Sequence, residues 1–216
     1  MKDFTIYENG DKTSPLFLLL RSVKTENEDH LIEEIKNITD KPFNIAVFKA
    51  EDWNHDYSPW SAPGMDEASP FTGGGDETIK EILPIVEELK KIYSGEIIAT
   101  GYSLAGLFAL YMLYRTVVFS GAVCGSGSLW FNGFTDFAKE NQIKSQSLVY
   151  LSLGGKEEKV NHPVVSTIGV KTKEMDSILS KDSNVIKNKF EMNSGGHFAD
   201  SSRRLAKGIA WILENL

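Results

Sequence analysis

The sequence predicts one α/β domain across residues 1–216, built on a mostly parallel central sheet with helices on both faces. Three observations carry that prediction. Short apolar runs alternate with helical periods from end to end, the order that crossover helices between parallel strands produce. Several runs, residues 15–20 among them, are apolar along their whole length, which marks strands buried on both faces. The chain has 216 residues, 41% hydrophobic and 25% charged, the size and balance of a single domain with its own core.

In chain order, residues 4–7 and 15–20 are expected as two strands separated by the turn Asn9-Gly10-Asp11. Residues 28–38 put Leu31, Ile32, Ile35 and Ile38 on one helical face, and residues 43–48 read as the next strand. Residues 50–75 are different in kind, with Trp53, Tyr57, Trp60, three prolines and Gly73-Gly74-Gly75 in one stretch. A loop that long is functional or disordered, and its aromatic content argues for order. Residues 78–93 form an amphipathic helix with Ile79, Ile82, Leu83, Val86 and Leu89 as its stripe; Pro84 is expected to kink or divide it. A strand at 97–100 runs into Gly101-Tyr102-Ser103, and residues 104–114, almost wholly apolar, are expected as a central buried helix. Strands at 119–124, 148–153 and 185–192, with helices at 164–179 and 201–216, complete the pattern.

Composition removes several classes of function. The net charge of −7 gives no electrostatic reason to bind nucleic acid or an anionic membrane, and it disfavours a strongly anionic substrate. Cys124 is the single cysteine. It can form no internal disulfide, and with scattered histidines it builds no zinc site, so it is read as a small buried hydrophobe. Residues 1–9 carry charge and no apolar core, so no signal peptide is expected. The longest apolar stretch, 104–113, is too short to span a bilayer. A cytoplasmic location is the expectation, with no metal, no cofactor and a small-molecule partner; oligomeric state is not legible.

The segment Gly101-Tyr102-Ser103-Leu104-Ala105-Gly106 joins a short strand to a buried helix. A serine at such a strand-to-helix turn is held in a strained conformation with its hydroxyl at the top of the sheet. Small residues are needed two positions either side, where strand and helix nearly touch. Gly101 and Ala105 meet that need, Ala105 being a departure from the usual glycine. The Leu104 N–H at the helix start points where an oxyanion would form, a donor whose loss costs about 3 kcal/mol of barrier.

A serine hydroxyl needs a base. Of the four histidines, His30 starts an amphipathic helix, His55 lies in the aromatic loop and His162 precedes Pro163. His197 follows the last expected strand and a Ser-Gly-Gly run, where the chain order serine, acid, histidine places the base of an α/β-hydrolase. The acid should follow strand 148–153, where the chain reads Gly154-Gly155-Lys156-Glu157-Glu158. Glu157 is the first choice and Glu158 the alternative; either would orient the imidazole.

Taken together, these segments resemble the esterase family of α/β-hydrolases that includes enterochelin esterases and esterase D-like enzymes. The resemblance runs from about Pro15 to the C-terminus. It rests on Asp52-Trp53-Asn54-His55-Asp56-Tyr57-Ser58-Pro59-Trp60, on residues 101–106, on Gly125-Ser126-Gly127-Ser128-Leu129-Trp130, on residues 154–159 and on Gly196-His197-Phe198. It implies ester hydrolysis through an acyl-enzyme without metal or cofactor, with Ser103, Glu157 and His197 as triad. It also implies a second oxyanion donor after strand 15–20. Many relatives have His-Gly there and this chain has Arg21-Ser22; an N–H near Ser22 is the first choice and one from Trp53 or Asn54 the second. Residues 128–145 leave room for only a small cap, so an open pocket lined by Trp53, Asn54, Trp60, Trp130 and Phe131 is expected. The same residues would serve an acyltransferase or thioesterase, and loss of activity would leave a binding protein of this fold. The resemblance permits iron-chelator esters, small acyl esters and sugar-linked aromatic esters.

Overall fold

The computed structural model describes residues 4–25 and 27–216; the first three residues of the charged N-terminal segment lie outside the described residues. The strands are β1 (Thr5–Glu8), β2 (Leu16–Ser22), β3 (Asn44–Ala50), β4 (Ser61–Ala62), β5 (Phe71–Thr72), β6 (Ile97–Tyr102), β7 (Gly121–Gly125), β8 (Ser147–Gly154) and β9 (Val185–Asn193). The helices are α1 (Asp29–Lys36), α2 (Trp53–Asp56), α3 (Gly75–Ile92), α4 (Leu104–Arg115), α5 (Phe134–Glu140), α6 (Ile168–Leu179) and α7 (Ser201–Asn215).

Seven strands form one sheet in the order β1-β3-β2-β6-β7-β8-β9. All pairs are parallel except β1 with β3. The turn at Asn9 therefore does not close a hairpin. The Asn44 side chain accepts from the Asn9 and Gly10 N–H groups and ties the turn to the start of β3, so β1 folds back beside β3 instead of β2.

Alternation along β2 sends Leu16, Leu18 and Leu20 to one face and Phe17 and Leu19 to the other. The first face packs against α3, α4, α5 and α6; the second is covered by α1 and α7. Both faces are thus dry, as the uninterrupted apolar strands require. Helix α4 is buried from Leu104 to Tyr114. Pro84 lies inside α3 without dividing it. The long loop 50–75 is ordered by the short helix α2 and the β4–β5 ladder. Among the described residues no helix is long and apolar enough to cross a membrane.

From β2 the chain builds outward through β3, then returns through β6 to build the other side. The crevice between the carboxyl ends of β2 and β6 is the topological switch point, where open parallel sheets bind ligands.

Candidate active site

Ser103 occupies the turn between β6 and α4. Its backbone, φ 59° and ψ −125°, lies in a region that costs a non-glycine residue of order 1–3 kcal/mol. The surroundings hold it there. A Cβ on Gly101 would sit 2.2 Å from the Ala105 carbonyl oxygen, so strand and helix can meet only if residue 101 is glycine. The Ser103 N–H donates to Gly125 O at 2.9 Å, and its carbonyl accepts from Leu107 and Ser128. Leu104 is the first residue of α4, so its N–H has no partner within the helix, and the residue lies beside Ser103 in the lining of the site.

His197 Nε2 lies 3.0 Å from Ser103 Oγ, and His197 Nδ1 lies 2.7 Å from Glu157 Oε2. An ionised carboxylate only accepts. Nδ1 therefore carries the proton toward Glu157, and Nε2 is left to accept from the serine hydroxyl. Ser128 Oγ is a further neighbour of Ser103 Oγ at 3.4 Å.

Glu157 and Glu158 part company in a single 3₁₀ turn, Glu157–Lys159, directly after β8. Glu157 turns inward and is 5% exposed. Glu158 is exposed, its carboxylate lying beside α6 where a Cβ on Gly169 would be 2.2 Å away. Glu158 is thus directed away from the His197 imidazole. Burial pushes the Glu157 carboxyl up, but hydrogen bonds from His197, the Gly154 N–H and Ser126 outweigh it, and the net effect holds Glu157 below its ordinary value.

One residue was not anticipated. Arg204, on the first turn of α7, is 1% exposed. Its Nη1 reaches Glu157 Oε1 at 2.9 Å, Ser126 Oγ at 2.9 Å and Tyr102 Oη at 3.0 Å. Its Nη2 donates to the Ser194 and Gly196 carbonyls, on the loop that presents His197. Tyr102 Oη in turn donates to His197 O at 2.6 Å. A single guanidinium thus ties Glu157, the loop carrying His197 and the strand that leads to Ser103. Gly154 makes room for it: a Cβ there would sit 2.6 Å from Arg204 Nη2. The signal was present in the spacing Arg204, Leu205, Gly208, Ile209, Trp211, Ile212, which sets this arginine on the buried face of an amphipathic helix.

A cavity of about 780 Å³ opens over Ser103. Ser22, Trp53, Asn54, Leu104 and Trp130 line it. Along β2, Leu16 N–H donates to Glu96 O while Val23 N–H donates to Ala50 O. Even-numbered N–H groups therefore face β6. The Ser22 N–H faces the same side, beyond the last β2–β6 pair, Leu19–Thr100. The Asn54 N–H is engaged instead by Asp52 Oδ1 at 3.1 Å. The surrounding aromatic segment acts as a clasp: Tyr57 Oη donates to Arg21 O, and Ser58 Oγ accepts from the Gly73 N–H.

Two aromatic expectations are corrected. Trp60 and Phe131 do not line the cavity. Trp60 packs among Tyr111, Phe131, Phe134 and Phe137 with ring centroids 5.4–6.3 Å apart, and its Nε1 donates to Asn132 O. Phe131 is 2% exposed in the same cluster. Helix α5, in the segment read as a small cap, completes that cluster and becomes part of the core. Of the other histidines, His30 is exposed on α1, His55 bonds to Thr72, and His162 bonds to Met65 O and two backbone N–H groups. Among the described residues no three His, Cys, Asp or Glu side chains converge to hold a metal ion.

No protein-family model matches the chain. No curated protein matches its sequence. Solved structures do match. The IroE-like serine hydrolase from Shewanella oneidensis superposes with a TM-score of 0.79 at 17% identity, over 98% of this chain and 75% of that one. Siderophore hydrolase EstB from Aspergillus nidulans gives 0.71 at 17% identity, over 98% and 89%. Siderophore hydrolase EstA from the same organism gives 0.71 at 16% identity, over 98% and 94%. At these identities the likeness speaks to architecture, and with the sheet order and its crossovers it establishes that this chain has the α/β-hydrolase fold.

Proposed function

We propose that the protein is a serine hydrolase that cleaves carboxylic esters of small molecules through an acyl-enzyme. The observation that carries this reading is the continuous hydrogen-bonded run from Ser103 Oγ through His197 to Glu157, with separations of 3.0 and 2.7 Å, at the floor of a cavity of about 780 Å³. The solved structures of similar fold that are named as serine hydrolases and siderophore hydrolases support it as well.

In this reading Ser103 Oγ attacks the ester carbonyl while His197 Nε2 takes its proton. Glu157, held ionised, stabilises the imidazolium that forms. The Leu104 N–H and the Ser22 N–H receive the negative charge that develops on the carbonyl oxygen. His197 then protonates the leaving alkoxide and activates a water that releases the acyl group. Neither step calls on a cofactor, a nucleic acid or a membrane.

Replacing Ser103 tests the reading. Ser103→Ala is expected to lower hydrolysis of a 4-nitrophenyl ester by about 10⁴-fold or more with unchanged circular dichroism. Undiminished turnover in the folded variant rejects the mechanism.

A further inference from the structure

The cavity above Ser103 has an unusual charge balance. Three of its lining side chains, among the described residues, can carry charge: Arg21, Asp66 and His197 of the proposed triad. Arg21 is already committed. Its Nε and Nη2 donate to the two carboxylate oxygens of Glu28 at 2.8 and 2.6 Å, and Glu28 is 3% exposed. A buried two-pronged pair of this kind satisfies both charges locally. Asp66 is exposed at the mouth and adds negative charge. The walls, meanwhile, are apolar and aromatic: Trp53, Phe71 and Trp130, with Phe198 at the rim 92% exposed.

The volume matters too. About 780 Å³ lies in the range that encloses a whole drug-sized molecule, far beyond what an acetyl group fills. An anionic group entering here would lose its hydration against ring faces that are themselves electron-rich. It would find the one lining guanidinium already neutralised, so its burial is penalised. An uncharged apolar group meets no such cost and is rewarded for each contact it makes.

We infer that the site takes bulky, uncharged esters, and that the Arg21–Glu28 pair is the specificity device that shuts out anionic ones. Arg21 immediately precedes the proposed oxyanion donor Ser22 and lines the same cavity as Ser103. The two-pronged contact with Glu28 occupies the guanidinium that would otherwise attract a substrate carboxylate. This inference rests on the hydrolase reading above and adds a substrate class to it.

The test is a comparison of kcat/KM for three probes: 4-nitrophenyl acetate, 4-nitrophenyl heptanoate and 4-nitrophenyl hemiadipate, which matches the heptanoate in length but ends in a carboxylate. Wild-type protein is expected to favour heptanoate over acetate by about tenfold or more, and over hemiadipate by about tenfold. In Glu28→Gln the hemiadipate-to-heptanoate ratio is expected to rise several-fold, because Arg21 then presents an uncompensated charge. A ratio is read because any disturbance of Ser22 affects both esters alike. Hemiadipate turned over as well as heptanoate by the wild type, acetate favoured over heptanoate, or a ratio unmoved in Glu28→Gln would overturn the inference. Labelling by a fluorophosphonate separates the two levels. If Ser103 is labelled while the preference is missing, the substrate assignment falls and the hydrolase reading stands. If neither label nor turnover is found, both fall.

Discussion

Ser103 and His197 meet at 3.0 Å, yet the segments that bring them together are built differently. The turn at Ser103 lies at the centre of the sheet, between β6, whose residues Ile97 to Gly101 are all buried, and α4, buried from Leu104 to Tyr114. Its geometry comes from packing, and Gly101 against the Ala105 carbonyl leaves no slack. His197 stands on the loop after β9, an edge strand with no fully buried residue. The neighbouring Phe198 is 92% exposed. What fixes His197 is a set of hydrogen bonds from Arg204 and Tyr102. Packing locates Ser103, and a buried cation locates His197.

That contrast can be broken at its strongest point first. Arg204→Met removes the cation and leaves the Glu157 carboxylate buried beside an apolar side chain. Truncating one member of such a pair costs about 3–5 kcal/mol, read as a shift in the urea midpoint. Activity should fall further than stability accounts for, because the Ser194 and Gly196 carbonyls lose their anchor; Arg204→Lys should restore part of it. A variant as active and stable as wild type would show that the loop holds itself.

Gly101→Ala probes the other side. Its methyl group meets backbone, not a side chain that can swing away, so overpacking of about 1–3 kcal/mol is expected. The required shift also moves Ser103 from its turn, so the rate of fluorophosphonate capture should drop while the His197 side stays intact.

Acid titration gives a smaller effect with a definite sign. Glu157 holds its charge more tightly in the fold than in the unfolded chain. Its contribution to stability is therefore complete above the ordinary carboxylate range and is lost as pH falls through its lowered value. Urea midpoints followed on acidification should show this component in wild type and lack it in Glu157→Gln.

The smallest expected effect is none. Cys124 is buried in β7, and burial pushes its thiol up to about 12. Iodoacetamide at neutral pH should leave it unmodified until the protein is unfolded, and mass spectrometry reads this directly.

Much of this was legible in the sequence, and the reasons are local. The strand, turn and helix around Ser103 announce themselves because apolar runs and the small residues at 101 and 105 are adjacent in the chain. His197 is marked by its place after the last strand. What sequence could not show depends on direction or on distant partners. Glu157 and Glu158 are chemically alike neighbours, and only the sense of a 3₁₀ turn separates them. Trp60 looked like pocket wall because its partners Phe131, Phe134 and Phe137 lie some 70 residues on, where its indole N–H bonds Asn132 O at a separation of 72 residues. The two first strands and the turn between them were legible, but their pairing was not: Asn44 reaches back to Asn9 and Gly10 and places β1 beside β3. Arg204 draws no notice in the sequence because charged residues in a first helical turn are usually solvated; its position in the apolar stripe is the clue that marks it.

Peptide-level mass spectrometry after exposure of the native protein to a fluorophosphonate tests the central claim most directly. The expected result is a single adduct on Ser103, formed rapidly in wild type and strongly slowed in His197→Ala. Folded protein that carries no adduct at Ser103, or that labels as fast without the imidazole, would contradict it.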